Sequence, residues 1–504
     1  MKILKTFFLF FSIASVIYSQ NNITNTLGTS GAFYIKYGSS TFFTLSQADG
    51  LLSLNNNLSM LNTTSSSIGV INKGASRFIH NFAPSLADGM NTFVGINSGN
   101  FTMSGSGTSA SYNTGIGSSS LISLTTGNNN TAVGYSSLSS NTTGYYNTAA
   151  GSSSLYYNTS GYGNTASGYS SLNFNTTGYD NTASGAVSLY SNTTGNYNTA
   201  LGAFSLYFNS TGSRNTASGY YSLYSNTTGY NNTATGNNSL SLNTTGNNNT
   251  AVGYFSLSAN TTGYYNTAAG SLSLYSNTIG NYNTASGSAS LQNNTTGNNN
   301  TALGYHAGYN ITTGSNLTCL GYDVQPSIGT ATNEITLGNS FVTSLRCNVT
   351  TITSLSDARD KRNINDLNLG IDFLMKIKPR LFNWDKREWY DNNISDGSKM
   401  QKIPTAGFIA QELDEVQTTQ NSEWLKLVLK DNPEKLEATP GNLLPIMVKA
   451  IQDLKKENDE LKATTVELKN KLTKFEQLQN VLVTEIEKLK INNDETTKVS
   501  FDEK

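Results

Sequence analysis

Over most of the chain the apolar positions are few and strictly phased. The block N-T-A-x-G-x-x-S-L returns with its asparagine at residues 130, 147, 164, 181, 198, 215, 232, 249, 266 and 283. N-T-G-I-G at Asn113 precedes it and NTALGYHAG at Asn300 follows it, and every step is 17 residues. A period kept without insertion makes each unit do the same geometric job, which predicts a solenoid with one coil of chain per repeat. Within a unit, Ala132, Gly134 and Leu138 share strand parity and are expected to face inward. The intervening N-T-T-G, as at Asn141 to Gly144, is expected to supply the turns and their positive φ angles. Seventeen residues are too few for two helices and a turn, and Gly, Asn and Thr disfavour helix, so the coil should be β. Low hydrophobicity alone would suit a disordered chain, but disorder has no use for a leucine at one phase from residue 121 to residue 291. Rungs stacked at about 4.8 Å would build a rod.

The pattern changes on both sides of this array, which spans residues 91–321. Residues 20–90 are irregular and mildly apolar, with FYIKYG and TFFTLS reading as short strands, and are expected to cover the open edge of the first rung. Residues 1–19 have Lys2 and Lys5, then an apolar run from Phe7 to Ile17, then Ser19, the layout of a cleaved signal peptide. Residues 322–355, with NEITLGNSFVTSLRCNVTTITSL, alternate apolar and polar positions and read as a β neck. Residues 356–446 mix helix-like IDFLMKIK, the aromatic strand RLFNWD and GFIAQELDEV, an α+β pattern. From residue 447 to 492 Met447, Leu454, Leu461, Leu468, Phe475, Leu482 and Leu489 fall seven apart. Ile451, Asn458, Thr465, Leu472, Gln479 and Ile486 fill the alternate seam, which predicts a parallel coiled coil with polar residues fixing its register. Residues 493–504 read as a disordered tail. The expected fold is thus mainly β: a β-solenoid or β-roll fibre, a small α+β domain and a C-terminal coiled coil.

Charge sharpens the division. Between Asp88 and Asp323 the only charged residues are Asp180 and Arg214, while a balanced mixture follows Ser356 and leaves a formal net charge of −1. That distribution offers nucleic acid no basic field and gives a membrane no polybasic anchor. After residue 19 no segment is apolar enough to span a bilayer, so the mature chain is expected to be secreted or held at the cell surface. Cys319 and Cys347 are too few for a disulfide framework; a bridge within the chain, bridges between chains and two buried thiols are all open.

Few chemistries fit the array. Glycosidases need two carboxylates across a bond, and Asp180 stands alone. His80 and His306 lack companions for zinc, and DNNISDG at Asp391 has its glycine one place late for a calcium loop, so neither metal nor cofactor is expected. Tyrosines such as Tyr145, Tyr162, Tyr179 and Tyr197 could stack on sugars, but packing between neighbouring rungs or chains is the simpler expectation. The N-x-T sequences, as at Asn141, are acceptor sites in form and a chance product of Asn/Thr-rich turns in the simpler reading.

Where the neutral array meets the charged tail stands SLSDARDKRNI, Ser354 to Ile364. Ser356 precedes Lys361 by five residues, and a desolvated lysine amine can take the proton of a serine hydroxyl and activate it. SDARDKRNI, IDFLMKIKPRLFNW from Ile371, GFIAQELDEV from Gly407 and LLPIMVKAIQDL from Leu443 together resemble the peptidase S74 family, over roughly Leu355 to Leu454. That family forms the C-terminal intramolecular chaperone of phage tailspikes, tail fibres and some surface proteins. The resemblance implies a homotrimer, Ser356 as nucleophile, Lys361 as general base, and cleavage of the bond joining Leu355 to Ser356. The tyrosine-containing segment usual before the last helix reads EATPGNLLP here.

The repeats also resemble the heads of YadA-like trimeric adhesins, over Asn91 to about Gly321, with a longer period. The membrane β-barrel of those adhesins has no counterpart, so attachment by that route is not expected. The combined expectation is a secreted or cell-surface trimeric fibre, with a glycan or cell-surface receptor as its further partner, whose tail guides assembly and then cuts itself off. A non-cleaving adhesin with a permanent trimeric foot, or a tail fibre of phage type, are the alternatives; the leader at Met1 weighs against the second.

Overall fold

In a computed structural model the chain is described over residues 24–27, 33–37, 40–45, 52–54, 62–66, 69–346 and 356–499. The expected leader, Cys347, Leu355 and the last residues of the tail lie outside them. The chain forms two compact units, Met1–Asn232 and Thr233–Lys504.

In the first unit FYIKY and STFFTL are strands, Phe33–Tyr37 and Ser40–Leu45, paired antiparallel. A second hairpin, Ile71–Lys73 with Ser76–His80, lays His80 antiparallel against Phe93 of the first rung. From there the pairing turns parallel. Thr92–Val94 pairs with Thr114–Ile116, and each later rung pairs with the next at a shift of 17 residues, as Thr131↔Thr148 and Ala132↔Ala149. The described rungs of this unit run to Thr216–Ser218.

Each rung contains only three strand residues, such as Thr131–Val133. The rest of the coil still pays out its hydrogen bonds to neighbouring turns: Leu138 N–H donates to Ser154 O at 3.0 Å, and Thr142 N–H to Thr159 O at 3.0 Å. Backbone polarity is thereby satisfied with little regular strand. Ala132 and Leu138 are fully buried as expected, but strand parity is not the cause. Leu138 lies beyond the strand in a left-handed conformation, φ 49°, which swings its side chain inward. Gly134 is a corner, not a core position: φ is 134°, and a Cβ there would meet the carbonyl carbon of Gly151 at 2.6 Å.

The turn chemistry expected of N-T-T-G falls elsewhere. Positive φ occurs at Gly134, Ser136, Leu138 and Tyr146, and Gly144 has none. Gly144 is required because its buried face touches Asn158 Nδ2, which a Cβ would approach to 2.8 Å. Asn141 is fully buried; its amide donates to Gly144 O at 3.0 Å and its Oδ1 accepts from Asn158 Nδ2 at 2.7 Å. The block-initial asparagines form a second ladder. Asn147 N and Nδ2 both donate to Asn130 Oδ1 at 3.1 Å, and Nδ2 also reaches Gly161 O at 2.8 Å. Residues that look like surface turns are therefore a buried polar spine beside the Ala and Leu columns. Burial of Asn141 also leaves no room for a sugar on it.

Tyrosines pack between turns. Tyr145 stacks on Tyr162, and Tyr162 on Tyr179, each with centroids 4.9 Å apart. That distance is the rung spacing.

The second unit repeats the same coil from Thr233–Thr235 and goes further than the expected array. Ser315–Leu320 and Thr332–Leu337 form two longer rungs in the same 17-residue register, so much of the expected neck is solenoid. Cys319 takes the place of the core alanine, opposite Ala302, and is a buried free thiol; burial pushes its pKa up to about 11.

After the rungs comes a small α+β region and then one helix, Leu444–Val499, of 56 residues. Phe373, Ile377, Leu413, Leu427, Val428, Leu443 and Ile446 make the core of the region. The helix leaves it carrying its heptad seam in the open: Leu454, Leu461, Leu468, Phe475, Leu482 and Leu489 are between 48% and 65% exposed. Among the described residues no helix is long and apolar enough to cross a membrane.

Candidate active site

Ser356 and Lys361 are joined by one turn of 3-10 helix, Ala358–Asp360. Asp357 caps it: its carboxylate accepts from Arg359 N–H at 2.9 Å and holds the Arg359 side chain in an ion pair at 2.5 Å. The guanidinium beside Asp357 keeps its carboxyl below the usual range. Lys361 ends the turn, its N–H donating to Ala358 O at 3.2 Å, and goes extended at φ −115°, ψ 149°. The reversal puts Lys361 Nζ 2.5 Å from Ser356 Oγ. Five residues of separation become direct contact because a capped turn lies between them. Leu355, the other side of the expected scissile bond, lies outside the described residues.

Both side chains are exposed in the single chain. A lysine serves as a base when it is desolvated, and the single chain supplies proximity without that desolvation.

Beyond the turn the chain is drawn onto the α+β core. Leu367 and Leu369 pack against it, followed by the short helix Ile371–Leu374. Strand Arg380–Phe382 pairs antiparallel with Thr405–Gly407. Arg380 grips Glu412 on helix Ala410–Thr419 through both carboxylate oxygens, at 2.9 and 2.5 Å, and the pairing holds Glu412 below its ordinary pKa. EATPGNLLP has a clear structural task. Glu437–Ala438 pairs with Val428–Leu429, and Asn442 pins the following turn by donating to Leu425 O at 2.9 Å and Lys426 O at 3.1 Å. The region also reaches the last rung, where Asn432 Nδ2 donates to Ser327 O at 3.0 Å.

Sequence reasoning missed Gln417. It is buried, its Nε2 donates to Asp414 Oδ1 at 2.9 Å and its Oε1 accepts from Leu427 N–H at 3.0 Å, tying helix to strand. The signal was a polar residue four places after Leu413 on an apolar helix face.

Residues 356–421 match the peptidase S74 family, described as the chaperone of endosialidase. The match begins at Ser356. These residues form an S74 domain. It follows a β-solenoid and precedes the long helix. No curated protein and no solved structure matches the chain.

Proposed function

We propose that the chain is a secreted or cell-surface homotrimeric fibre of adhesin type, whose S74 domain and helix align three copies and then leave by self-cleavage before Ser356. The observation that carries this is the contact of Lys361 Nζ with Ser356 Oγ at the first residue of the family match. S74 chaperones typically act in trimers, which supports the reading.

Identical rungs make slipped registers nearly as stable as the right one, so the array needs its phase set from outside. The exposed heptad seam suits that task. So does the cluster just upstream of the cut, where Phe341, Val342 and Leu345 are 68%, 54% and 70% exposed in one chain. Packing of three copies around these surfaces would shield Lys361 and so complete the base.

In the reaction, Ser356 Oγ bonds to the carbonyl carbon of Leu355 while Lys361 Nζ takes the hydroxyl proton. The bond from Leu355 to the Ser356 nitrogen breaks, and that nitrogen leaves as the new amino terminus with the proton from Lys361. Water then hydrolyses the ester between Leu355 and Ser356 Oγ, giving the Leu355 carboxylate and restoring the hydroxyl. Loss of the guide leaves a fibre trapped behind its unfolding barrier.

Denaturing gels of purified protein test the cut. Wild type should give a fragment ending at Leu355, absent in Ser356→Ala and Lys361→Ala. Full-length chain in all three favours the second reading, a permanent trimeric foot, for which the exposure of both side chains in the single chain speaks.

A further inference from the structure

The array departs from its neutral chemistry in one column, the residues just before the ladder asparagines. Asp180, Tyr197 and Arg214 occupy it in three consecutive turns, all exposed, with φ 53°, 58° and 58°. The left-handed backbone turns these side chains to the surface. The Arg214 guanidinium lies 5.9 Å from the Tyr197 ring centre. Tyr197 in turn meets Tyr179 edge-on at 5.2 Å, where the Tyr145–Tyr162–Tyr179 stack ends. One turn before Asp180 the column holds Gly163, and a Cβ there would collide with the Asp180 carboxylate, which therefore lies over the gap a side chain would fill.

The two charges do not serve each other. Two turns at 4.9 Å put them about 10 Å apart, where unit charges in water attract by less than thermal energy. They are the only charged residues from residue 89 to residue 322, and no ion pair among the described residues includes either. A second copy is a poor occupant. Parallel copies in register would set Asp180 level with Asp180 and Arg214 level with Arg214, which repels if the column faces the shared axis.

We infer that this column binds an oligosaccharide carrying one carboxylated sugar, an inference that rests on the reading of the array as a displayed fibre. Arg214 pairs with the sugar carboxylate through its planar fork. Tyr197 packs on a pyranose face, and Asp180 accepts hydroxyls of neutral sugars about 10 Å further along. Asp180 also sets specificity, because a second carboxylate at that distance would meet a like charge.

The test is calorimetric titration of the full chain with a tetrasaccharide of neutral hexoses ending in one uronic acid, its carboxyl-reduced form, and a tetrauronate, with light scattering alongside. Wild type should bind the singly acidic probe at least tenfold more tightly than either of the others. Arg214→Gln and Tyr197→Ala should each lose tenfold or more, and Asp180→Asn should weaken that probe while strengthening the tetrauronate. Absence of binding, or equal binding by wild type and Arg214→Gln, overturns the assignment. A change in assembly mass in these variants also overturns it and makes the column a contact between copies. Binding by a chain that scatters as a monomer supports the site and refutes the trimer instead.

Discussion

Replacing Asn181 by alanine measures how much the buried amide ladder holds. Asn181 Oδ1 accepts from Asn198 N at 3.0 Å and from Asn198 Nδ2 at 3.1 Å. Its own Nδ2 donates to Asn164 Oδ1 at 3.1 Å and Gly195 O at 2.8 Å. Both acceptors keep another donor in the variant: Asn164 Oδ1 retains Asn181 N–H, and Gly195 O retains Asn192 Nδ2. Asn198 N–H loses its acceptor, while Asn198 Nδ2 keeps Gly212 O at 2.8 Å. At about 1–3 kcal/mol for an orphaned buried group, the loss is about 1–3 kcal/mol. The comparison is Leu189→Ala in the same rung, where emptying a fully buried site costs about 2–5 kcal/mol. Thr177→Ala at an exposed position serves as the control, within about 0.5 kcal/mol. Native-state hydrogen exchange at the Asn198 amide, read beside a urea titration, separates local from global loss, since turns of a solenoid depend mainly on their neighbours. An Asn181→Ala variant within 1 kcal/mol of wild type, next to a Leu189→Ala variant that loses several, would refute a structural role for the ladder.

Two further outcomes follow from other parts of the molecule. His80 is buried between Phe93 and Phe101 with its Nε2 at 2.7 Å from Ser98 O, and burial pushes its pKa down to about 4 from 6.5. A lowered folded value means the unfolded chain takes up the proton first, so this stability is whole above pH 6.5 and drains as pH falls towards 4, about 3 kcal/mol in all. Exchange at the cap hairpin measured across that window should show it, and His80→Gln should flatten the response. In the helix, Leu468→Asp puts a charge on the exposed seam, and analytical ultracentrifugation should show the proposed trimer giving way to monomer; an unchanged mass means that the seam does not join copies.

The 17-residue period, the parallel coil and the inward Ala and Leu columns were legible because small and large apolar residues returned in phase. The interior asparagines were not. Asn141 reads as a turn residue, since polarity usually marks a surface, and Asn130 only as the start of the block; their constancy from repeat to repeat, beside variable neighbours such as Tyr145 and Tyr146, is the available sign. Positive φ is expected of the N-T-T-G stretch because Gly and Asn adopt it cheaply, but the fold uses Gly144 for close approach and bends at Ser136, Leu138 and Tyr146 instead. At the candidate site, the resemblance of the surrounding motifs to the S74 family singled out Ser356 and Lys361, and the acidic cap at Asp357 explains why they meet. What would shield them is not legible in the turn itself, because both side chains are exposed in the single chain.

The most direct measurement is refolding of residues 20–355 produced without the rest of the chain. If the tail sets the register of rungs that cannot choose it, the fragment will return from denaturant as mixed or aggregated species, while material trimmed after assembly survives as a trimer of uniform mass under the same buffer. A fragment that refolds unaided to that same trimer would contradict the need for a guide.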